Sequence, residues 1–257
     1  MKYKKDISHS IYSFSHDYYL LKKAKKDFET TVSRQDVKVL EFSNYGSHQM
    51  KEWGYSPDGF TQMAIQLATF RLFGNQSQPT YESTQVRYFA YGRTETTRSV
   101  SKASDAFCHA MNNPQKTTEM EFKRQSLKEA VQSHVNFLRA ASEGHGVDRH
   151  LLGLSLIQSM HHETSTKSPK LFENSLFLRS KRWRVSTSTL PNAPGFGQVV
   201  PDGVGIAYEV KPHSCIFTIT SLKKDNASKC STLHNLLEEA LMEMKHLHSQ
   251  NSNHSNL

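Results

Sequence analysis

The sequence predicts an α/β protein, a mixed β-sheet covered by helices on one or both faces. Three observations carry that prediction. Short stretches that alternate as strands do, such as 36–42 (Asp-Val-Lys-Val-Leu-Glu-Phe) and 213–221, are interleaved with stretches of helical period. The helical stretches carry their own start and stop signals: Ser56-Pro57-Asp58 supplies an N-cap, a first-turn proline and an acidic first turn, and Gly74 closes that helix. The chain has 257 residues, 36% of them hydrophobic and 22% charged, which is ordinary for a protein that buries a core. No run approaches the roughly 20 apolar residues of a membrane span. The first ten residues lack the apolar segment of a signal peptide.

In chain order, 11–32 reads as a helix with Tyr12, Tyr19, Leu20 and Phe28 set among a basic Lys22–Lys26 cluster, read as a solvated face. A strand over 36–42 follows, then a loop over 45–55. The helix after Ser56 has Phe60, Met63, Ala64, Leu67 and Arg71 at core-face spacing. A strand from Glu82 to Tyr91 ends at Gly92, which leaves Thr94 and Arg98 beyond it. A helix over 102–111 precedes a longer one, opened by a Thr118/Glu121 capping box and carrying Met120, Leu127, Val131, Val135 and Leu138 on one face. Gly144-His145-Gly146 ends it, and Asp148 opens another. A strand over 182–190, a turn at Pro201-Asp202-Gly203 joining two strands, and the strand over 213–221 complete the sheet. The last helix, 231–247, aligns Leu233, Leu236, Leu237, Ala240, Leu241, Met244 and Leu247. This implies a helical lead-in over 1–35, one α/β domain over 36–248, and a polar tail over 249–257 expected to be disordered.

A formal charge of +8 attracts phosphates. The cations are spread along the chain without a nucleic-acid motif, so nucleic acid is not expected, and an anionic cofactor explains the balance as well. Cys108, Cys215 and Cys230 have no metal-ligand spacing and suggest no disulfide framework, consistent with a reducing compartment. His161-His162-Glu163 lacks the i, i+4 histidine pair of a zinc helix and reads as a polar helix end; no metal is expected.

The stretch 80–99 is dense in polar side chains. It holds the hydroxyls of Tyr81, Ser83, Thr84, Thr94, Thr96, Thr97 and Ser99 with Arg87, Arg93 and Arg98. Tyr81, Ser83 and Thr94 brought together would fix a small carboxylate by neutral hydrogen bonds. An exposed polar hairpin is the alternative.

Four motifs stand in order: Tyr81-Glu82-Ser83 with Gly92-Arg93-Thr94-Glu95-Thr96-x-Arg98-Ser99; Asp148-Arg149-His150-Leu151-Leu152-Gly153-Leu154; Arg182 to Leu190 with its Ser186-Thr187-Ser188; and Phe196-Gly197 with Pro201-Asp202-Gly203-x-Gly205. Together they resemble the carnitine/choline acyltransferase family over nearly the whole chain, nearest to the mitochondrial palmitoyl-type enzymes. The resemblance implies a chloramphenicol-acetyltransferase-like domain, reversible acyl transfer between coenzyme A and carnitine, and a mitochondrial location compatible with peripheral membrane association. Coenzyme A would be a substrate, with no permanently bound cofactor. Ser188 would stabilise the oxyanion and Ser186 would line the same cavity. Tyr81, Ser83, Thr94 and Arg149 would hold the carnitine carboxylate, with Phe196 against the trimethylammonium group. Arg149 favours carnitine, because choline-using relatives replace it; an arginine capping a strand is the alternative. Lys51, Ser47 and Asp58 would face coenzyme A. The family's Gly-Lys-x-x-x-Lys ahead of Ser-Pro-Asp is matched at Lys51 but carries Ser47 at the first lysine.

The family's general-base histidine is followed directly by a small residue and, four positions on, by an acidic residue that orients it. None of the 14 histidines here fits; His145-Gly146-Val147-Asp148 comes nearest, one residue short. The resemblance therefore implies the C-terminal half of an acyltransferase, inactive alone, with the base on a separate N-terminal half. The alternative is a non-catalytic carnitine- or acyl-coenzyme A-binding or regulatory protein.

Overall fold

The computed structural model describes residues 7–113, 120–160, 169–223 and 228–248. Thr118 of the capping box, the His161-His162-Glu163 run and the tail from 249 lie outside the described residues. The chain divides into two compact units, Met1–Gln35 and Asp36–Leu257. The first is α1 (Ile7–Ser33), on which Tyr19, Leu20 and Phe28 are exposed.

Among the described residues six strands form one sheet: β1 (Gln35–Phe42), β2 (Thr80–Gln85), β3 (Thr94–Thr97), β4 (Val185–Thr189), β5 (Val204–Val210) and β6 (Cys215–Leu222), in the order β1-β6-β5-β4-β2-β3. The centre is parallel, with β4 pairing β2 and β5, while β3 and β6 pair antiparallel to β2 and β5. This is the mixed sheet the sequence predicts.

The helices of this unit are α2 (Ser47–Glu52), α3 (Pro57–Leu72), α4 (Lys102–Asn112), α5 (Met120–Ser142), α6 (Asp148–Met160), α7 (Lys170–Glu173), α8 (Ser175–Ser180) and α9 (Lys229–His246). The helix α3 packs against α9, α4 and α5. Its N-terminus forms as the sequence demands: Ser56 Oγ accepts from the Gly59 N–H at 3.3 Å and Pro57 opens the helix. Every residue from Gly59 to Phe70 is buried, so α3 is a central helix and not the one-sided one that core-face spacing suggests. Val185, Val204, Ile206, Tyr208, Phe217 and Ile219 face this helical layer, as does the stripe Leu233, Leu237, Ala240, Leu241 and Met244 of α9. The opposite face is covered over β6 by the loop after β4: Thr218 Oγ1 donates to the Ala193 carbonyl at 2.6 Å, and Thr220 Oγ1 donates to that of Phe196.

Three local expectations change. The strand expected from Glu82 to Tyr91 stops at Gln85, and Thr94 opens β3 opposite it. A turn closes the hairpin, with Phe89 N bonded to Val86 O and Gly92 N to Phe89 O. Tyr91 adopts φ 60°, and a Cβ on Gly92 would lie 2.0 Å from the Val86 carbonyl oxygen. The aromatics that read as strand formers have no layer above them: Tyr88 is 92% exposed and Tyr91 fully so. The 45–55 loop contains α2, and β4 begins at Val185 rather than Arg182, because Arg182 and Arg184 turn their guanidinium groups onto Asp202 at 2.6–3.0 Å.

Candidate acceptor site

Register creates the site. The parallel β2/β4 pairing sets Tyr81 beside Ser186 and Glu82 beside Thr187. Side chains alternate across a strand, so Tyr81, Ser83, Ser186 and Ser188 share the face turned away from α3, while Glu82 and Thr187 face it. Thr94, paired with Gln85, joins the first group.

Arg149 reaches that face because the start of α6 is clamped. Arg98 forks onto the Asp148 carboxylate at 2.6 and 3.0 Å, donates to the Ser180 carbonyl at 2.9 Å, and lies 4.4 Å above the Trp183 ring. Glu95 Oε1 accepts from the Arg149 N–H at 3.2 Å. The Arg149 guanidinium then donates to Tyr81 Oη at 2.9 Å and to Thr94 Oγ1 at 3.3 Å. One cation and two hydroxyls thus converge as a carboxylate site requires. Asp148 is committed to Arg98, so it does not orient His145.

A cavity of about 1070 Å³ opens at the carboxyl ends of β2, β4 and β5, beside the N-terminus of α3. Ser83, Thr94, Ser188 and Asp58 line it, with Arg87, Arg93, Glu209 and His134. Ligands of parallel sheets bind at such strand ends. Of the residues expected to act together, Ser188, Ser83 and Thr94 share this cavity, and Thr94 links it to Tyr81 and Arg149. Ser186 is buried one step back along β4. Phe196 does not line the cavity; its ring edge packs beside Gly205, whose missing side chain leaves the room. Lys51 and Ser47 also lie elsewhere, one turn apart on α2, where Lys51 is exposed and the Ser47 N–H is bonded to the Lys211 carbonyl at 2.8 Å.

On the helix-facing side of the same strands lies a polar cluster that sequence reasoning does not assemble. Tyr208 Oη is 2.6 Å from Asp58 Oδ1 and 3.0 Å from Glu82 Oε1. Thr187 Oγ1 donates to Glu82 Oε2 at 2.8 Å, and Gln62 Nε2 donates to the same oxygen. His134 Nε2 is 3.2 Å from Asp58 Oδ2. Burial, together with the charge of Asp58, pushes the Glu82 carboxyl up to about 7. Burial also acts on Asp58, but the hydrogen bond and charge of His134 and the hydrogen bond from Tyr208 outweigh it and hold that carboxyl below its usual value. The resemblance puts Asp58 at coenzyme A; it lines the cavity, and both its oxygens are engaged within the protein. The available sequence signal is Asp58, Gln62 and Gln66 at i, i+4 spacing on a helix that also carries Phe60, Met63, Ala64, Ile65, Leu67 and Phe70.

Fold and site define an α/β protein with an Arg149–Tyr81–Thr94 cluster beside a serine-lined cavity. The Choline/Carnitine O-acyltransferase family model matches residues 17–239, and the chain belongs to that family. It is 36% identical to carnitine O-acetyltransferase of Columba livia over 231 residues, covering 88% of this chain and 36% of that protein. It is 34% identical to the mitochondrial carnitine O-acetyltransferase of Saccharomyces cerevisiae over 228 residues, 87% of this chain and 33% of that protein. With choline O-acetyltransferase of Gallus gallus it shares 32% identity over 233 residues, 89% and 36% respectively. The chain spans about a third of the length of these curated relatives. A chloramphenicol acetyltransferase structure superposes over 81% of this chain and 88% of that one with a TM-score of 0.38 and 11% identity, too loose a likeness to carry an argument.

Proposed function

We propose that this chain forms the acceptor- and coenzyme A-facing part of a carnitine O-acyltransferase. The observation that carries the reading is the Arg149–Tyr81–Thr94 cluster, set on the same sheet face as Ser188. In this reading the carnitine hydroxyl attacks the thioester carbonyl, the coenzyme A thiol leaves, and Ser188 donates a hydrogen bond to the developing oxyanion. Arg149 pairs with the acceptor carboxylate, which choline lacks. The names of relatives divide between the two acceptors, so the preference for carnitine rests on Arg149. A mitochondrial setting belongs to the same proposal, and the name of the yeast relative supports it.

The general base is proposed to come from outside these residues. His134 is the histidine of the cavity, but its side chain is only 1% exposed and its Nε2 is engaged by Asp58. The test is an acyl-transfer assay on the chain alone and after joining it to the N-terminal part of a family member. Transfer is expected only from the joined protein, and there Ser188→Ala should lower kcat by about 10²–10³. Turnover by the chain alone would place the base within it.

The cofactor contact gives a further expectation. With Ser47 and Lys51 one turn apart on α2, Ser47→Lys should tighten coenzyme A binding in the joined protein, more at low salt than at high salt. Dephospho-coenzyme A serves as the control. An equal gain for it would remove the 3′-phosphate from α2.

A further inference from the structure

We propose that Glu82 is a positioning residue that carries a proton on the acid side of neutral pH, and that its neutral carboxyl holds Thr187, and through it the Ser186–Ser188 edge of β4, beside the cavity. That this edge serves acyl transfer rests on the reading above; the protonation of Glu82 does not.

Hydrogen counting carries the inference. Tyr208 Oη has one proton and touches two carboxyl groups, Asp58 Oδ1 at 2.6 Å and Glu82 Oε1 at 3.0 Å. The shorter contact takes the tyrosine proton. The other contact is a full hydrogen bond, and not the weaker arm of a shared tyrosine proton, only if Glu82 Oε1 carries a proton of its own and donates it to Tyr208. The second Glu82 oxygen accepts from Thr187 Oγ1 and Gln62 Nε2, which also reach the Tyr81 carbonyl at 3.3 Å and Tyr208 Oη at 3.1 Å respectively, so Oε1 is the Glu82 oxygen placed to donate. Between the two acids, Glu82 is the one to stay neutral, because it is 4% exposed, whereas the Asp58 side chain is 37% exposed and faces His134. The shift of Glu82 to about 7 and the lowered Asp58 agree with this division.

The groups facing Glu82 are Asp58 and Gln62 from α3, His134 from α5, Thr187 from β4 and Tyr208 from β5. Strand β3 sets Thr97 beside it and carries Glu95, whose carboxyl accepts from the Thr96 and Arg149 N–H groups. Arg87, Arg93 and Glu209 line the adjoining cavity. Loss of the Glu82 proton would place two carboxylates on one tyrosine oxygen. The Tyr208 contact would open, and the ionised carboxyl would draw toward its remaining donors, Gln62 and Thr187, shifting Thr187, whose neighbours in sequence are Ser186 and Ser188.

Folded Glu82 holds its proton to about pH 7, while an unfolded glutamate releases it near 4.5. The folded state therefore binds the extra proton between those values. Its stabilising contribution is full below the lower value and is lost as pH rises through the upper one. Asp58, held low, contributes the opposite slope at more acidic pH, so the readout is the difference between wild type and Glu82→Gln. Glutamine retains a donor for Tyr208 and an acceptor for Thr187 while removing the titration.

The experiment uses the full chain. Infrared spectra with ¹³C-labelled glutamate should show a protonated-carboxyl band at pH 6 that fades through about pH 7 and is missing from Glu82→Gln. Hydrogen exchange at Val185–Thr189, corrected for intrinsic rates, should lose protection over the same interval in wild type and not in the variant. No labelled band at pH 6 would overturn the proposal, as would β4 protection that is independent of pH in wild type or equally pH-dependent in Glu82→Gln. If the variant does not fold, the wild-type band and exchange profile decide. None of these measurements needs acyl transfer, so a silent activity assay counts against the proposed function and not against the protonated glutamate.

Discussion

Replacing Arg149 by Asn together with Thr94 by Val, in a catalytically competent joined protein, should depress the use of carnitine and spare the use of choline. Carnitine differs from choline by a carboxylate, and Arg149 is the cation that the structure brings within 2.9 Å of Tyr81 Oη and 3.3 Å of Thr94 Oγ1. Hydrogen bonds to a charged group contribute about 1.5–3 kcal/mol each, so each loss corresponds to roughly one to two decades. The two side chains touch, so the effects should combine less than additively. The measured quantity is the ratio of kcat/KM for the two acceptors. A fall of about tenfold or more is expected, and an unchanged ratio would mean that the cluster does not face the acceptor carboxylate.

The largest expected effect on folding is at Phe60. Its fully buried ring sits among those of Tyr55, Trp53 and Tyr45, with centroids 5.4, 5.8 and 6.1 Å away. Phe60→Ala removes that packing and leaves a cavity, which costs about 3–5 kcal/mol. That is a large part of the roughly 5–15 kcal/mol of a typical domain. Denaturant unfolding should show a lower midpoint with an unchanged slope. The fully exposed Tyr91 makes the control, since Tyr91→Ala should stay within about 0.5 kcal/mol. Comparable costs at the two positions would refute this account of the core beneath α2 and α3.

The difference between these two aromatics shows where the sequence stops being legible. Both are strong β-formers or core-formers by type, and Tyr88-Phe89-Ala90-Tyr91 reads as strand on propensity alone. Their fate depends on whether another layer lies above them, which no local pattern states. The hairpin turn is dictated instead by backbone geometry at Tyr91 and Gly92. The motifs of the acceptor side read well because they are contiguous.

By itself the sequence determined the elements whose causes are local. The Ser56 cap, the alternation of β1 and β6, the leucine stripe of α9 and the contiguous motifs around Tyr81, Arg149 and Ser188 were all readable from neighbouring residues. Only the tertiary structure decided that α3 is buried on every side, that Asp148 belongs to Arg98, and that Asp58 meets His134, 76 residues away, while Glu82 meets Tyr208, 126 residues away. The reason is physical. Caps and periodicities arise from bonds within one or two turns, whereas a buried carboxyl takes its partners from whichever strands and helices the sheet order places beside it, and that order is set by the packing of the whole domain.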